Sequence, residues 1–208
     1  MTAFKVVHTQ ADDWAHAAKV CADGLSEVAG DFNLGFVYAT DRLAEDLPSV
    51  LTYLRQKSGI EHWVGSTGMG ICAISTEGCG EYFDQPALAV MAMALPEDSF
   101  QILPPLENDI GELPAKTLDW IKDKGAHFGV VHGDPSNPLI PGLIEELAAA
   151  TSGFLVGGLT SSSTSGPFYQ VAERVIKGGL SGVMFAPAVN IVTALSQGRP
   201  IAVSEADV

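Results

Sequence analysis

The sequence predicts an α/β fold, with α+β as the alternative, in which mixed sheets have helices on their outer faces. Three observations support this prediction. Apolar segments typical of strands alternate with amphipathic helical patterns, 47% of the 208 residues are apolar, and the same order of elements occurs twice. A strand-helix-strand beginning favours parallel pairing, and the short turns that follow favour antiparallel strands. The strand order stays open at this stage.

The first half is predicted to have the order βαβββ. After a strand at Leu34 to Ala39, Asp46 and Pro48 mark the start of a helix that Gly59 ends. The inward face of this helix is apolar, with Leu47, Val50, Leu51 and Leu54. Three strands follow, separated by a Gly/Ser/Thr turn and a turn at Gly78 to Gly80: one ending at Val64, one at Ile71 to Ser75 and one at Ala87 to Leu95.

The second half repeats this order. Its predicted elements are a strand at Phe128 to His132, a helix at Pro141 to Ala150, and strands at Phe154 to Val156, Tyr169 to Ile176 and Val183 to Ala186. The helix turns Leu143, Ile144 and Leu147 inward. An amphipathic helix precedes each half, one capped by Asp12 or Asp13 and the other at Leu113 to Lys124.

Short sequence matches indicate that the halves are duplicates. Gly35 to Tyr38 resembles Gly129 to His132, and Val64 to Thr67 resembles Val156 to Leu159 at nearly the same offset. We therefore expect one domain over residues 1–208, with pseudo-repeat halves at about 30–96 and 125–190. A linker containing Pro104-Pro105 is expected near 97–111.

Charge and composition limit the classes of molecule that this protein is expected to bind. With 11 Lys and Arg against 25 Asp and Glu, the formal net charge of -14 argues against binding to nucleic acid or to anionic membranes. The first residues do not resemble a secretory signal. The three cysteines cannot all pair within the chain, and none forms a Cys-x-x-Cys pair, which fits a reducing compartment. We therefore expect a cytoplasmic protein. The five histidines lack metal-ligand spacing, and no metal is expected.

The best candidate ligand site is a pair of equivalent small-residue turns. The first comprises Gly65, Ser66, Thr67 and Gly68, and the second runs from Gly157 and Gly158 through Thr160 and Ser161 to Ser163. Glycine allows close approach of backbone N–H groups to a ligand, and the hydroxyls add donors, which suits a carboxylate or phosphate. The alternative is a pair of tight structural turns.

Further polar residues are candidates for the same site. His132 and Asp134 follow the first strand of the second half, where they could orient an amino group. The alternative for Asp134 is a helix or turn cap. Arg174 and Arg199 could clamp a carboxylate, and for both the alternative is a surface ion pair.

Catalysis has less support. A hydrolase or transferase would use Ser66 or Cys79 with His132, but the sequence shows no base or helix N-terminus beside Cys79 that would activate its thiol. Gly68 to Ala73 matches a loose dinucleotide pattern, yet a strand follows where that motif needs a helix, so no cofactor is expected. We assign no catalytic residue and do not expect a self-sufficient enzyme.

Together these elements resemble the amino-terminal portion of the FIST family (F-box and intracellular signal transduction). The resemblance rests on Trp63 to Thr67, Ala87 to Val90, Leu155 to Ser161 and Ser196 to Ile201. It implies a sensory module that recognises a small anionic or zwitterionic metabolite, including amino acids. It also implies a carboxy-terminal FIST portion or a signalling partner. A protein-interaction domain without a ligand is the other alternative.

Overall fold

The computed structural model describes residues 3–27, 31–164 and 166–194. The four helices in these ranges are α1 (Trp14–Ser26), α2 (Leu47–Ser58), α3 (Ala115–Lys124) and α4 (Ile140–Thr151). The strands of the first half are β1 (Ala3–Gln10), β2 (Leu34–Thr40), β3 (His62–Gly68), β4 (Gly70–Ser75), β5 (Gly78–Phe83) and β6 (Ala87–Ala94). Those of the second half are β7 (Phe100–Leu106), β8 (Phe128–Gly133), β9 (Phe154–Leu159), β10 (Tyr169–Ala172), β11 (Arg174–Lys177) and β12 (Leu180–Phe185). The Ser196 to Ile201 motif lies outside the described residues.

The strands form two large mixed sheets and one hairpin. The first sheet has the order β1-β6-β2-β3-β10-β11, the second has the order β7-β12-β8-β9, and β4 pairs with β5. Strands β2 and β3 are parallel, as are β8 and β9, whereas the other pairs are antiparallel. The predicted α/β class with mixed sheets is therefore confirmed.

The molecule has four layers, with the two sheets packed face to face and a helical layer outside each. Leu34, Phe36 and Val64 of the first sheet share a buried cluster with Val183 and Phe185 of the second. On its other face, the first sheet packs against α1 and α2, and the second packs against α3 and α4. Both helical layers thus lie on outer faces, as expected for helices with one apolar stripe.

Sequence signals for the helix ends are borne out by backbone geometry. The Asp13 carboxylate accepts a hydrogen bond from the backbone N–H of His16 and caps α1. Helices α2 and α3 end at Gly59 and Gly125, both in the left-handed conformation that glycine adopts at low cost. No helix in the described ranges is long and apolar enough to cross a membrane.

The same topology occurs in both halves. The order β1-β6-β2-β3 in the first sheet corresponds to β7-β12-β8-β9 in the second, and a hairpin lies between the third and last strands of each half. The halves use their hairpins differently, because β10 pairs with β3 of the first sheet while β4 and β5 pair only with each other. Gene duplication, the boundaries of the two halves and their assignment to one domain remain predictions.

The segment 97–111 is more than the predicted linker, because it contains strand β7. Pro104 and Pro105 lie within β7 where its register with β12 shifts. Proline is tolerated there because β7 is an edge strand, and its missing N–H is not needed on the outer side. Strand β1, at the edge of the other sheet, also lies outside the predicted elements.

Each predicted hairpin region also differs in detail. The predicted turn at Gly78 to Gly80 is the start of β5, and the chain instead turns at Thr76 and Glu77. The predicted single strand from Tyr169 to Ile176 is a hairpin that reverses at Glu173, which has a φ of 61°. The sequence pattern missed this reversal because Glu173 is not a usual left-handed residue.

Candidate functional site

The predicted turn after Val64 is a continuation of strand β3, which pairs with β2 as far as Gly68. Gly65 has a φ of 156°, and a Cβ atom there would lie 1.7 Å from the carbonyl oxygen of Val37. Gly157 is equivalent, with a φ of 145° and a Cβ position 1.8 Å from the oxygen of Val131. Both glycines are therefore required for close approach of two parallel strands, and the prediction of two turns at these positions is wrong.

The two small-residue segments nevertheless meet. The backbone N–H of Ser161 donates to the oxygen of Thr67 at 3.3 Å, and the N–H of Met69 donates to Ser161 Oγ at 2.9 Å. Thr160 is buried, with its N–H and its hydroxyl both directed at the oxygen of Gly133. The segment after β9 is thus fixed against the carboxyl end of β3.

A cavity of about 340 Å³ lies at this junction. Its lining residues come from both halves and are Tyr38, Ser66, Thr67, Gly68, Gly70, Ile71, Cys72, Leu159 and Ser161. None of these side chains is charged at neutral pH. A ligand in this cavity would therefore meet hydroxyls, backbone groups and apolar surface, because no charged side chain of the described residues lines it.

Tyr38 connects the cavity to a buried polar pair. Its hydroxyl shares a hydrogen bond of 3.1 Å with Nε2 of His132, and the two rings contact each other edge to face. His132 is only 3% exposed, and its Nδ1 atom is buried without a partner among the described residues. The pair bridges β2 of one sheet and β8 of the other, and so links the two sheets through a polar contact.

Burial keeps both members of this pair neutral. It lowers the pKa of His132 to about 4, because the interior disfavours the imidazolium ion. It raises the pKa of Tyr38 to about 12, because the interior also disfavours the phenolate. His132 is thus a weak base, and Tyr38 is a weak acid that stays protonated at neutral pH.

Two equivalent aspartates fix loops. Asp134 accepts hydrogen bonds from the N–H and hydroxyl of Ser136 at one oxygen and from the N–H of Gly178 at the other. Asp41 accepts hydrogen bonds from Ser162 and from the N–H and hydroxyl of Ser163 at Oδ2, while its Oδ1 is buried without a described partner. Burial tends to raise the pKa of Asp41, but these hydrogen bonds outweigh it and the pKa lies below its usual value.

The structure does not assemble the proposed nucleophile and base. Nε2 of His132 contacts Tyr38, and no hydrogen bond links His132 to Ser66 or Cys79 in the described part of the chain. Cys79 is exposed on β5, and Cys72 is exposed on the adjacent strand β4. Cys21 is buried in the core, where desolvation raises the pKa of its thiol to about 12.

The predicted site residues separate into two groups. Ser66, Thr67, Gly68 and Ser161 line the cavity. The others, Gly65, His132, Asp134, Gly157, Gly158 and Thr160, do not line it. Gly157 and Gly158 lie on β9, which is the edge strand of the second sheet, and are exposed.

Sequence reasoning missed Tyr38, Gly70, Ile71, Cys72 and Leu159 as lining residues. A signal for Tyr38 was present, because the internal match pairs it with His132. The structure shows that these two equivalent positions contact each other where the two sheets meet. Ile71 and Cys72 become part of the site only because β4 folds beside the end of β3, and no local pattern indicates this.

Among residues 3–27, 31–164 and 166–194, no group of three or more His, Cys, Asp or Glu side chains could hold a metal ion. The sequence matches a family model described as the FIST N domain over residues 33–202, which is most of the chain. Comparison with curated proteins gives no match.

Proposed function

Since the chain belongs to the FIST family, which is associated with sensing in signal transduction, we propose that it binds a small polar metabolite in the cavity between β3 and β9. The observation that supports this proposal is the convergence of Ser66 and Thr67 from one half with Ser161 from the other on one cavity. A ligand held there contacts both halves at once, so its binding free energy can be coupled to their relative arrangement.

The ligand class follows from the donors present. The hydroxyls of Ser66 and Ser161 can donate to a carboxylate, and Tyr38 lies on the same wall. Because no cationic side chain of the described residues lines the cavity, a zwitterion such as an amino acid fits it better than a multiply charged anion. We therefore retain a small anionic or zwitterionic metabolite as the proposed ligand and place amino acids first.

Location and partners form part of the same proposal. We propose a cytoplasmic protein whose signal passes to a carboxy-terminal FIST portion or another signalling protein, without nucleic acid or membrane as a partner. The acidic composition supports the last point, because the negative charge repels phosphate groups. The catalytic alternative lacks a supporting contact, since His132 engages Tyr38.

Thermal unfolding in the presence of a panel of amino acids and small carboxylic acids tests the function. A ligand at 100 times its dissociation constant should stabilise the protein by about 2.7 kcal/mol. Ser66→Ala and Ser161→Ala should each weaken the response, whereas Ser49→Ala, on an exposed face of α2, should not. A panel without any shift would favour the interaction-domain alternative, and equal effects of all three variants would argue against this cavity.

A further inference from the structure

A second and larger cavity, of about 590 Å³, lies at the other end of β3. It is bounded by His62 at the start of β3, by β7, by the start of α3 and by the tip of the β10–β11 hairpin. Phe100, Ile102 and three prolines give it an apolar wall. Its volume lies within the range of about 300–1,000 Å³ that is typical of small-molecule sites.

Two cations that line this cavity have no ion-pair partner among the described residues. Neither Lys116 nor Arg174 forms an ion pair within the described ranges, although the chain has 25 acidic residues against 11 basic ones. Of the three acidic residues that line the cavity, two form ion pairs with residues outside the lining. Glu173 contacts His62 Nδ1 at 2.6 Å and the Arg55 guanidinium at 3.7 Å.

The remaining acids contribute differently. Asp98 pairs with Lys124 and accepts a hydrogen bond from the indole N–H of Trp120. Glu97 lines the cavity without an ion pair to a described residue, so it opposes an anion there. Among the described residues, the three lining acids stand against two lining cations and the Arg55 and Lys124 that pair with Glu173 and Asp98, so the local balance is positive, in contrast to the chain as a whole.

The start of α3 adds hydrogen-bond donors to the same wall. Its N-terminus has Pro114 in the cap position and receives no side-chain hydrogen bond, unlike the start of α1, which Asp13 caps. The N–H of Thr117 already donates to the oxygen of Pro114 at 2.8 Å, but the amides of Ala115 and Lys116 lack an intrahelical acceptor, and the helix dipole favours an anion beside them. Pro114, Lys116 and Thr117 of this first turn all line the cavity.

Thr117 points independently to a polar ligand. The residue is 2% exposed, and its hydroxyl makes no hydrogen bond with a described residue. Thr117 lines the cavity, so a ligand bound there lies beside a threonine whose hydroxyl is not engaged by any described residue.

We propose that this cavity binds a small organic carboxylate with an apolar body. Lys116, Arg174 and the Thr117 hydroxyl would receive the carboxylate together with the first amides of α3. The proline and phenylalanine wall would receive the apolar body. This site is separate from the one proposed above and does not depend on it, because the two cavities share no lining residue.

Titration of ¹⁵N-labelled protein with 3-phenylpropionate tests the proposal, with acetate, inorganic phosphate and the neutral 3-phenylpropanamide as comparison probes. The backbone resonances of residues 115–117 should shift with 3-phenylpropionate at lower concentration than with any other probe. Lys116→Gln and Arg174→Gln should each weaken binding by about tenfold, the effect expected for loss of a charge-assisted hydrogen bond. Lys122→Gln, an exposed change on the same helix, should leave the affinity unchanged.

Several results would overturn this inference. One is the absence of any resonance shift at residues 115–117 with either carboxylate. Another is tighter binding of phosphate or of the amide than of 3-phenylpropionate. A third is a loss of affinity in Lys122→Gln equal to that in Lys116→Gln. The two-dimensional spectrum of each variant shows whether the fold is retained. Loss of the response in Ser66→Ala but not in Lys116→Gln would refute this site while leaving the proposed function standing.

Discussion

Acidification should destabilise the protein through His132 over a defined pH range. Burial lowers the pKa of this imidazole to about 4, against an ordinary value of 6.5. Between these values the unfolded chain takes up a proton that the folded chain refuses, so the unfolding free energy falls as the pH falls. Above about pH 6.5 neither state is protonated, and below about pH 4 both are, so the loss is confined to this window.

The magnitude follows from the two pKa values. A difference of one pKa unit corresponds to about 1.4 kcal/mol, so lowering the pH from 7 to 5 should remove about 2 kcal/mol of stability through this residue alone. The conversion is justified because the side chain is only 3% exposed and is shielded from solvent.

Urea unfolding of the wild type and His132→Gln at pH 7, 6 and 5 measures the effect. Glutamine keeps a polar group near the Nε2 position for the Tyr38 hydroxyl and removes the titration. The variant should lose about 2 kcal/mol less than the wild type between pH 7 and pH 5, because all other titrating groups are common to both proteins. Parallel pH curves would refute the reasoning, as would an imidazole pKa near 6.5 measured directly by NMR.

Two further predictions concern residues that the sequence placed in the ligand site. Gly65→Ala should destabilise the protein by more than about 4 kcal/mol or prevent folding, because its Cβ would overlap the oxygen of Val37. Gly158→Ala, with open space around its Cβ, should lower the unfolding free energy by less than about 1 kcal/mol, measured by chemical denaturation. Similar losses of stability in both variants would contradict the argument that Gly65 is needed for close approach of the strands. Asp134→Ala should lower the unfolding free energy by about 2–3 kcal/mol, because the N–H groups of Ser136 and Gly178 lose their acceptor. The folded fraction should still be stabilised by the ligand. Loss of the ligand response with unchanged stability would instead indicate direct binding by Asp134.

The sequence predicted some of the residues that line the candidate site, but it gave the wrong structural reason for the glycines. The small-residue segments were expected to meet, and Ser161 does bond to Thr67 near the end of β3 and to Met69 just after it. Glycine at position 65, however, serves the contact between two strands. A glycine that permits a turn and one that permits close backbone packing are identical in the sequence, and only the position of the Val37 carbonyl distinguishes them.

The larger cavity illustrates a different limit. Lys116 lies in a predicted helix and Arg174 in a predicted strand, 58 positions further along the chain. Nothing local relates them, and they line one cavity only because the β10–β11 hairpin of the second half pairs with β3 of the first. The sequence-based expectation of a surface ion pair for Arg174 was reasonable, but no acid is within ion-pair distance of it in the described residues.

By itself, the sequence determined the features that depend on neighbouring residues. Asp13 and Gly59 set helix ends through contacts within a few positions, and apolar periodicity identified the helix faces and most buried strands. Tertiary structure alone decided the strand order, the transfer of the second hairpin to the first sheet, and the contact between Tyr38 and His132. The physical reason is that strand pairing satisfies backbone groups across long sequence separations, and many pairings satisfy the same local pattern until packing selects one.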